Sequence, residues 1–320
     1  MNPLLSYAGR RLGHGLVMLA IVSALVFFFT QALPGDVARQ VLGQTATEQQ
    51  IAQLRQQLGL DRPVLLQYAA WMRDLAALDL GTSLTSRTPV ADLLARRIAN
   101  SAALVGATAA ILLPLALLLG IQAARRPGRL VDQAVSAAVL VILALPEFII
   151  AILVVVVLAT NLLPLFPPTS ILNAARPLLA QAELFALPVL ALVVGSLPYA
   201  TESIKTAVRE ELASEHVLWA RLSGIPEGRI LWRHALPNAL APSLQVAATT
   251  LIYLTGGIVA VENVFAFPGI GSALTEAVAN RDIPVVQAIA MLLAVVALAV
   301  YLAADLIGIL LTPRLRTAAP

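Results

Sequence analysis

Six stretches of this chain, residues 15–33, 102–124, 135–159, 184–201, 239–261 and 285–311, are each apolar enough and long enough to cross a lipid bilayer. A span needs about 20 mainly apolar residues to cover about 30 Å of hydrocarbon at 1.5 Å per residue. Lipid offers no partner to a free backbone N–H or C=O, so such runs must be helical. Composition points the same way: of 320 residues 59% are hydrophobic and 12% charged, against about 25% charged in a soluble domain. The mean hydropathy is +0.86. The expected fold class is therefore an all-α integral membrane protein with six transmembrane helices. The first run follows Arg10-Arg11, is too long for a signal-peptide core and has no small-x-small exit, so it reads as a retained span.

Lys and Arg set the orientation. With the N-terminus inside, the inner segments hold Arg10, Arg11, Arg125, Arg126, Arg129, Lys205, Arg209, Arg221, Arg229, Arg233, Arg314 and Arg316, whereas the short outer loops hold Arg176 and Arg281. Both termini are expected in the cytoplasm. The basic residues are dispersed between apolar runs, which fits membrane topology and speaks against nucleic acid as a partner. Three regions follow: 1–33, the N-terminus and first span; 34–101, an extracytoplasmic helical segment; and 102–320, a core with five spans and a polar cytoplasmic loop at 202–238.

The outer segment has its own helix signals. Thr47 and Gln50 form a capping-box pattern, Ile51, Leu54 and Leu58 recur on one face, and Gly59 stands where a C-cap belongs. A second helix is expected with Leu65, Tyr68, Met72 and Leu75 on its packed face, closed by "DLGTS" at Asp79 to Ser83.

Several chemistries are excluded. No cysteine is present, and His14, His216 and His234 have no metal-binding spacing, so they read as polar loop contacts. Lys205, the only lysine, has no glycine-rich loop before it, so this chain holds no P-loop for ATP. It is not expected to be an enzyme. The acids within or at the ends of spans remain, because a charge at the bilayer centre costs at least about 2.5–3.5 kcal/mol and marks a functional candidate. Glu147 follows Pro146 well inside the third span. It either faces a polar path as a carboxylate or lies protonated and hydrogen-bonded within the bundle. Glu262 ends the fifth span and opens "ENVFAFPGIG", where Phe265, Pro268 and Gly269 belong to a broken element, tolerated at membrane depth only where protein or water lines it. Asp305 is expected to pair with an inner-face Arg.

The polar loop is the longest on the inner side. A helix-competent run is ended by Gly224 as C-cap and Pro226 as stop, and "EGRILWRHAL" resumes a short helix before Pro237. Helix, glycine turn and helix make a rigid knob suited to docking into another protein. Ala220, Gly224, Leu236 and Pro237 match the spacing of the EAA loop of permease subunits from binding-protein-dependent ABC importers, with Leu218 and Trp219 in place of the Glu-Ala that names it. "HVLWARLSGI" and "RHALPNALAP" resemble the dipeptide, oligopeptide and nickel branch. "LPGDVARQVLG", "LRQQLGLDRPVLLQYAAWM", "DLGTSLTSRTPVADLL", "VENVFAFPGIGSAL" and "NRDIPVVQA" are similar to the first of that branch's two permease subunits, while "TPRLR" departs from the Asp-Pro-Arg common there.

The resemblance implies a multi-pass bacterial cytoplasmic membrane protein that carries di- or oligopeptides, with nickel or another small solute as the alternative. It implies a homologous second permease subunit, two ATP-binding subunits that hold ATP and Mg, and an extracytoplasmic substrate-binding protein; no cofactor is expected in this chain. The ATPase-coupling segment would be Glu215 to Ile225, including Glu215, Ala220, Ser223 and Gly224, with Arg221 as its ion-pairing residue and Leu236 and Pro237 at its exit. An ion-coupled secondary transporter working through Glu147 and Glu262 is the reading from another class, and it leaves the polar loop without a role.

Overall fold

The computed structural model describes residues 3–32, 39, 42, 46–57, 59, 61–160, 162–173 and 175–311. These residues are helical throughout apart from loops and one isolated β-bridge, Thr82 to Pro89. In chain order the helices are α1 (Pro3–Gln31), α2 (Glu48–Gln57), α3 (Val64–Ala76), α4 (Val90–Arg125), α5 (Leu130–Leu143) and α6 (Glu147–Leu158). Then come a 3-10 segment (Leu178–Phe185), α7 (Ala186–Leu212), α8 (Glu215–Leu222), α9 (Leu236–Val264), α10 (Ile270–Ala279) and α11 (Ile283–Leu311).

Five helices are long and apolar enough to span a membrane, and α5 with α6 makes a sixth candidate if the bent pair is one span. The third apolar run, 135–159, is not one continuous helix. The chain bends by 108° between α5 and α6. Pro146 lacks an N–H and biases the residue before it away from the helical region, so the break falls at Ala144 to Pro146. The other spans lie where the apolar runs put them, but α4 starts twelve residues earlier than 102, at Val90, and α7 runs through Pro198 to Leu212.

The core is built by α4, α7 and α9, whose Leu104, Leu112, Leu187, Ile204, Leu254 and Val261 are buried together. α1 and α11 run antiparallel beside it. Gln287 donates to Thr30 at one end of this pair, 2.8 Å, and Arg11 pairs with Asp305 at the other, 3.2 Å, as the sequence led us to expect for Asp305. The start of α1 and the end of α11 thus lie at the same face of the bundle.

The two short helices between α1 and α4 form as expected. Thr47 N donates to the Gln50 side chain at 2.9 Å and Gln50 N donates back to Thr47 Oγ1 at 3.4 Å, which closes the capping box on α2. Gly59 is left-handed, φ +66°, and Ile51 is buried. On α3 Tyr68, Met72 and Leu75 of the expected face are half-buried and Leu65 is exposed, while Trp71 joins Tyr68 against Phe27 of α1, with ring centroids 5.6 and 5.4 Å apart. Tyr68 also hydrogen-bonds Ser23, so both its ring and its polar end meet α1. Leu58, the Leu54 side chain, Arg314, Arg316, the "TPRLR" segment and most of "LPGDVARQVLG" lie outside the described residues.

Candidate functional site

The polar loop is a folded unit. α8 occupies Glu215–Leu222 within the expected segment, and Gly224 ends it with φ +75°. Two backbone bonds finish the helix: Ile225 N to Ala220 O at 3.2 Å and Gly224 N to Arg221 O at 3.0 Å. This pairing of the last carbonyls with a left-handed glycine is the Schellman arrangement. Beneath it Val217, Ala220, Ile230 and Ala235 form a small buried core, with Ile225 packed against it. The opposite face carries Glu215, Leu218, Trp219 and Leu222 at helical spacing, all exposed, with Trp219 at 68% and Leu222 at 70%.

The return limb differs from expectation. "EGRILWRHAL" is not a separate helix stopped by Pro237: the turn Glu227–Arg229 passes through a π-helical stretch, Ile230–Ala235, straight into α9. Pro237 stands where the π-helical stretch gives way to the α-helical ladder of α9 and does not end the helix. Leu236 is buried and Pro237 exposed. The knob is therefore continuous with a membrane span.

Arg221 forms ion pairs, but with Glu227 of its own chain. Its Nε donates to Glu227 Oε1 at 2.7 Å, Nη2 to Oε2 at 3.3 Å, and Nη1 to the Leu212 carbonyl at 3.3 Å. The pair clamps the turn around Gly224. The hydrogen bond from Arg221 holds the Glu227 carboxyl below its ordinary range, and the same bond raises Arg221. Ser223 Oγ donates to the Trp219 carbonyl, 2.9 Å.

A buried charge cluster joins this unit to the bundle. Lys205, almost wholly buried near the end of α7, donates to Asp132 Oδ1 and Ser136 Oγ of α5, each at 3.0 Å, and pairs with Glu202. Arg209, one turn closer to α8, pairs with Asp132 Oδ2 at 2.7 Å and donates to the Ala123 carbonyl of α4 at 3.2 Å. Asp132 is thus held by two cations from α7. Sequence reasoning missed this cluster. The available signal was a lone lysine four residues before an arginine in an apolar chain, facing one acid in the first turn of α5.

Glu262 is fully buried at the junction of α4, α9 and α10. Its carboxyl accepts hydrogen bonds from Ser101 Oγ at 2.6 Å, Gly271 N at 2.7 Å and Ser272 N at 3.1 Å, while Ile270 N donates to Ser101 Oγ at 2.8 Å. An acid at a helix N-terminus satisfies the orphan amides there, so Glu262 caps α10. Gly269 is required by this geometry, because a Cβ there would stand 2.0 Å from Glu262. Phe265 and Phe267 are fully buried, Phe267 packs edge-on against Phe185 at 5.2 Å, and the Pro268 carbonyl accepts from Asn100 at 2.8 Å. These residues make one tight junction.

Glu147 stands apart from it. It opens α6 just after the 108° bend and lies against α9, close over Gly257 and lining one cavity with Tyr253. The two acids that looked alike in sequence occupy different sites.

The comparisons with known proteins agree with this architecture. Residues 116–317 match the family described as binding-protein-dependent transport system inner membrane component, and residues 4–105 match the N-terminal membrane component of such systems. A probable peptide ABC transporter permease protein, y4tP, of Sinorhizobium fredii is 31% identical, covering 97% of this chain and 99% of the relative. The oligopeptide transport system permease protein AppB of Bacillus subtilis is 27% identical over 97% of this chain and 98% of its own length. The metal-staphylopine import system permease protein CntB of Staphylococcus aureus is 27% identical, with the same coverage. With both of its parts matched, this multi-pass membrane chain belongs to the inner membrane components of binding-protein-dependent transport systems.

Proposed function

We propose that the chain is the first of two homologous permease subunits of an ATP-driven importer of di- or oligopeptides. In this reading six spans cross the cytoplasmic membrane with both termini and the α8 knob inside. Two ATP-binding subunits that use ATP and Mg dock on the knob, and an extracytoplasmic binding protein delivers the solute to the opposite side. The observation that carries the reading is the α8 unit. An exposed ridge of Leu218, Trp219 and Leu222 stands on a core held by Val217 and Ala220, and the unit runs without a joint into α9. Movement imposed on such a ridge reaches the span as rigid-body rotation, the element on which alternating access depends. Glu147 lines the path, and the Glu262, Phe265, Pro268 and Gly269 junction is the scaffold of the outer gate.

The test is Ala220→Asp in the complete transporter reconstituted in proteoliposomes. A charge in the small core under α8 is expected to abolish ATPase stimulation by the loaded binding protein while the spans still insert. Unchanged stimulation would remove the docking role. The relatives named for peptides support the peptide substrate, and the relative named for metal-staphylopine keeps a small-solute importer as the alternative. Uptake of labelled peptide against labelled nickel separates the two. An ion-coupled transporter would instead keep working after ATP depletion and stop when the ion gradient collapses.

A further inference from the structure

Glu147 lies in an open cavity of about 500 Å3 between α6 and α9, with Phe148, Tyr253, Gly256 and Ala260 among its walls. Two adjacent glycines shape it. At Gly257 a Cβ would stand 2.6 Å from Glu147 Oε2, so only a bare backbone lets the carboxyl lie flat on α9. At Gly256 a Cβ would meet nothing within 4 Å, so the floor beside the carboxyl is empty space. Tyr253 lines the same cavity as the carboxyl, and half of its surface, 52%, is exposed. Among the described residues no Lys, Arg or His pairs with Glu147, whereas Asp132 and Asp305 each have a basic partner in the chain.

We propose that the Glu147–Tyr253 notch is a subsite for the cationic group of the transported solute, a primary ammonium such as the amino terminus of a peptide. The inference rests on the reading that the α6–α9 face lines the path. An ammonium carries three donors and no acceptor, and the notch presents the complementary set: two carboxyl oxygens and a phenol oxygen, with apolar walls. In its carboxylate form Glu147 would concentrate cations locally between the low-dielectric walls. One carboxyl, not a closed cage, suits a group that must leave as readily as it enters. The notch therefore favours a free amino terminus over an acylated one.

The absence of native cysteine in this chain allows a direct test. Gly256→Cys, or Ala260→Cys if the first does not assemble, puts a thiol on the floor of the notch in the complete transporter. Its modification by methanethiosulfonate reagents of similar size, one cationic and one anionic, is followed on this chain by mass spectrometry, with rates normalised to free cysteine. The cationic reagent is expected to react at least about tenfold faster. Glu147→Gln should bring the ratio close to one and Glu147→Asp should preserve it. A peptide with a free amino terminus should slow the cationic reaction, and its N-acetylated counterpart should not. Equal rates for both reagents with Glu147 in place would overturn the subsite and leave the path reading standing. Failure of both reagents to react, with and without ATP, would remove the path reading itself.

Discussion

Gly224 and Gly269 are both demanded by geometry, for different reasons. Gly224 is left-handed with open space around it, so a side chain there is opposed by backbone strain alone. Gly224→Ala should cost about 1–2 kcal/mol, and Gly224→Asn clearly less, read as thermal stability of the purified protein. Gly269 faces the Glu262 carboxyl, so Gly269→Ala should displace Glu262 and lower the yield of folded protein much more. Glu262→Ala orphans Ser101 Oγ and two backbone amides, at about 1–3 kcal/mol for each unsatisfied buried group. Glu262→Gln keeps an acceptor and should recover most of that loss; equal stability of the Ala and Gln variants would argue against the capping role. Of these residues, Gly224 was legible in sequence, because a C-cap is written in its neighbours. Gly269 was legible only as a break, since its partner sits seven residues back and across a turn.

Elements are coupled through charge. Lys205 and Arg209 both hold Asp132 across 73 and 77 residues of chain, so α7 is tied to the start of α5 where the polar loop begins. Breaking one side of a buried pair costs about 3–5 kcal/mol where the other charge is left unpaired; here Arg209 still holds Asp132 and Glu202 still holds Lys205, so each single loss should fall below that. Lys205→Met and Asp132→Asn should each lower the melting temperature, and the double variant should lose much less than the two singles together. Additive losses would show that the two side chains act separately. The Arg221–Glu227 clamp behaves differently because it is exposed. Glu227 has a lowered folded-state pKa, so the clamp contributes stability above the unfolded glutamate value of about 4.3 and loses it as pH falls through the folded value below that. Binding-protein-stimulated ATPase activity should thus take no pH dependence from this pair between pH 6 and 8, where Glu227 is fully ionised. A Glu227→Gln variant whose pH profile changed within that window would contradict the assignment.

For the whole molecule, the proposed orientation makes a simple demand on labelling. Leu78, 86% exposed between α3 and α4, and Arg126, at the end of α4, lie on opposite sides of one span. In cells, a membrane-impermeant thiol reagent should modify Leu78→Cys directly and Arg126→Cys only after permeabilisation. Modification of both from one side would refute the orientation. The Arg11–Asp305 pair agrees with a common side for the two ends of the bundle, a relation that charge counting alone had suggested.

The membrane class, the apolar runs, the capping box on α2 and the glycine turn after α8 are written locally in the chain. Each of these rests on residues within one or two helical turns, where spacing and backbone preference suffice. The 108° bend of the third apolar run, the burial of Glu262 as a cap while Glu147 opens into a notch, and the joining of Lys205, Arg209 and Asp132 in one cluster arise from packing. Those outcomes depend on which groups far apart in the chain meet when α4, α7 and α9 pack. A local pattern of hydrophobic and charged residues carries no record of that meeting.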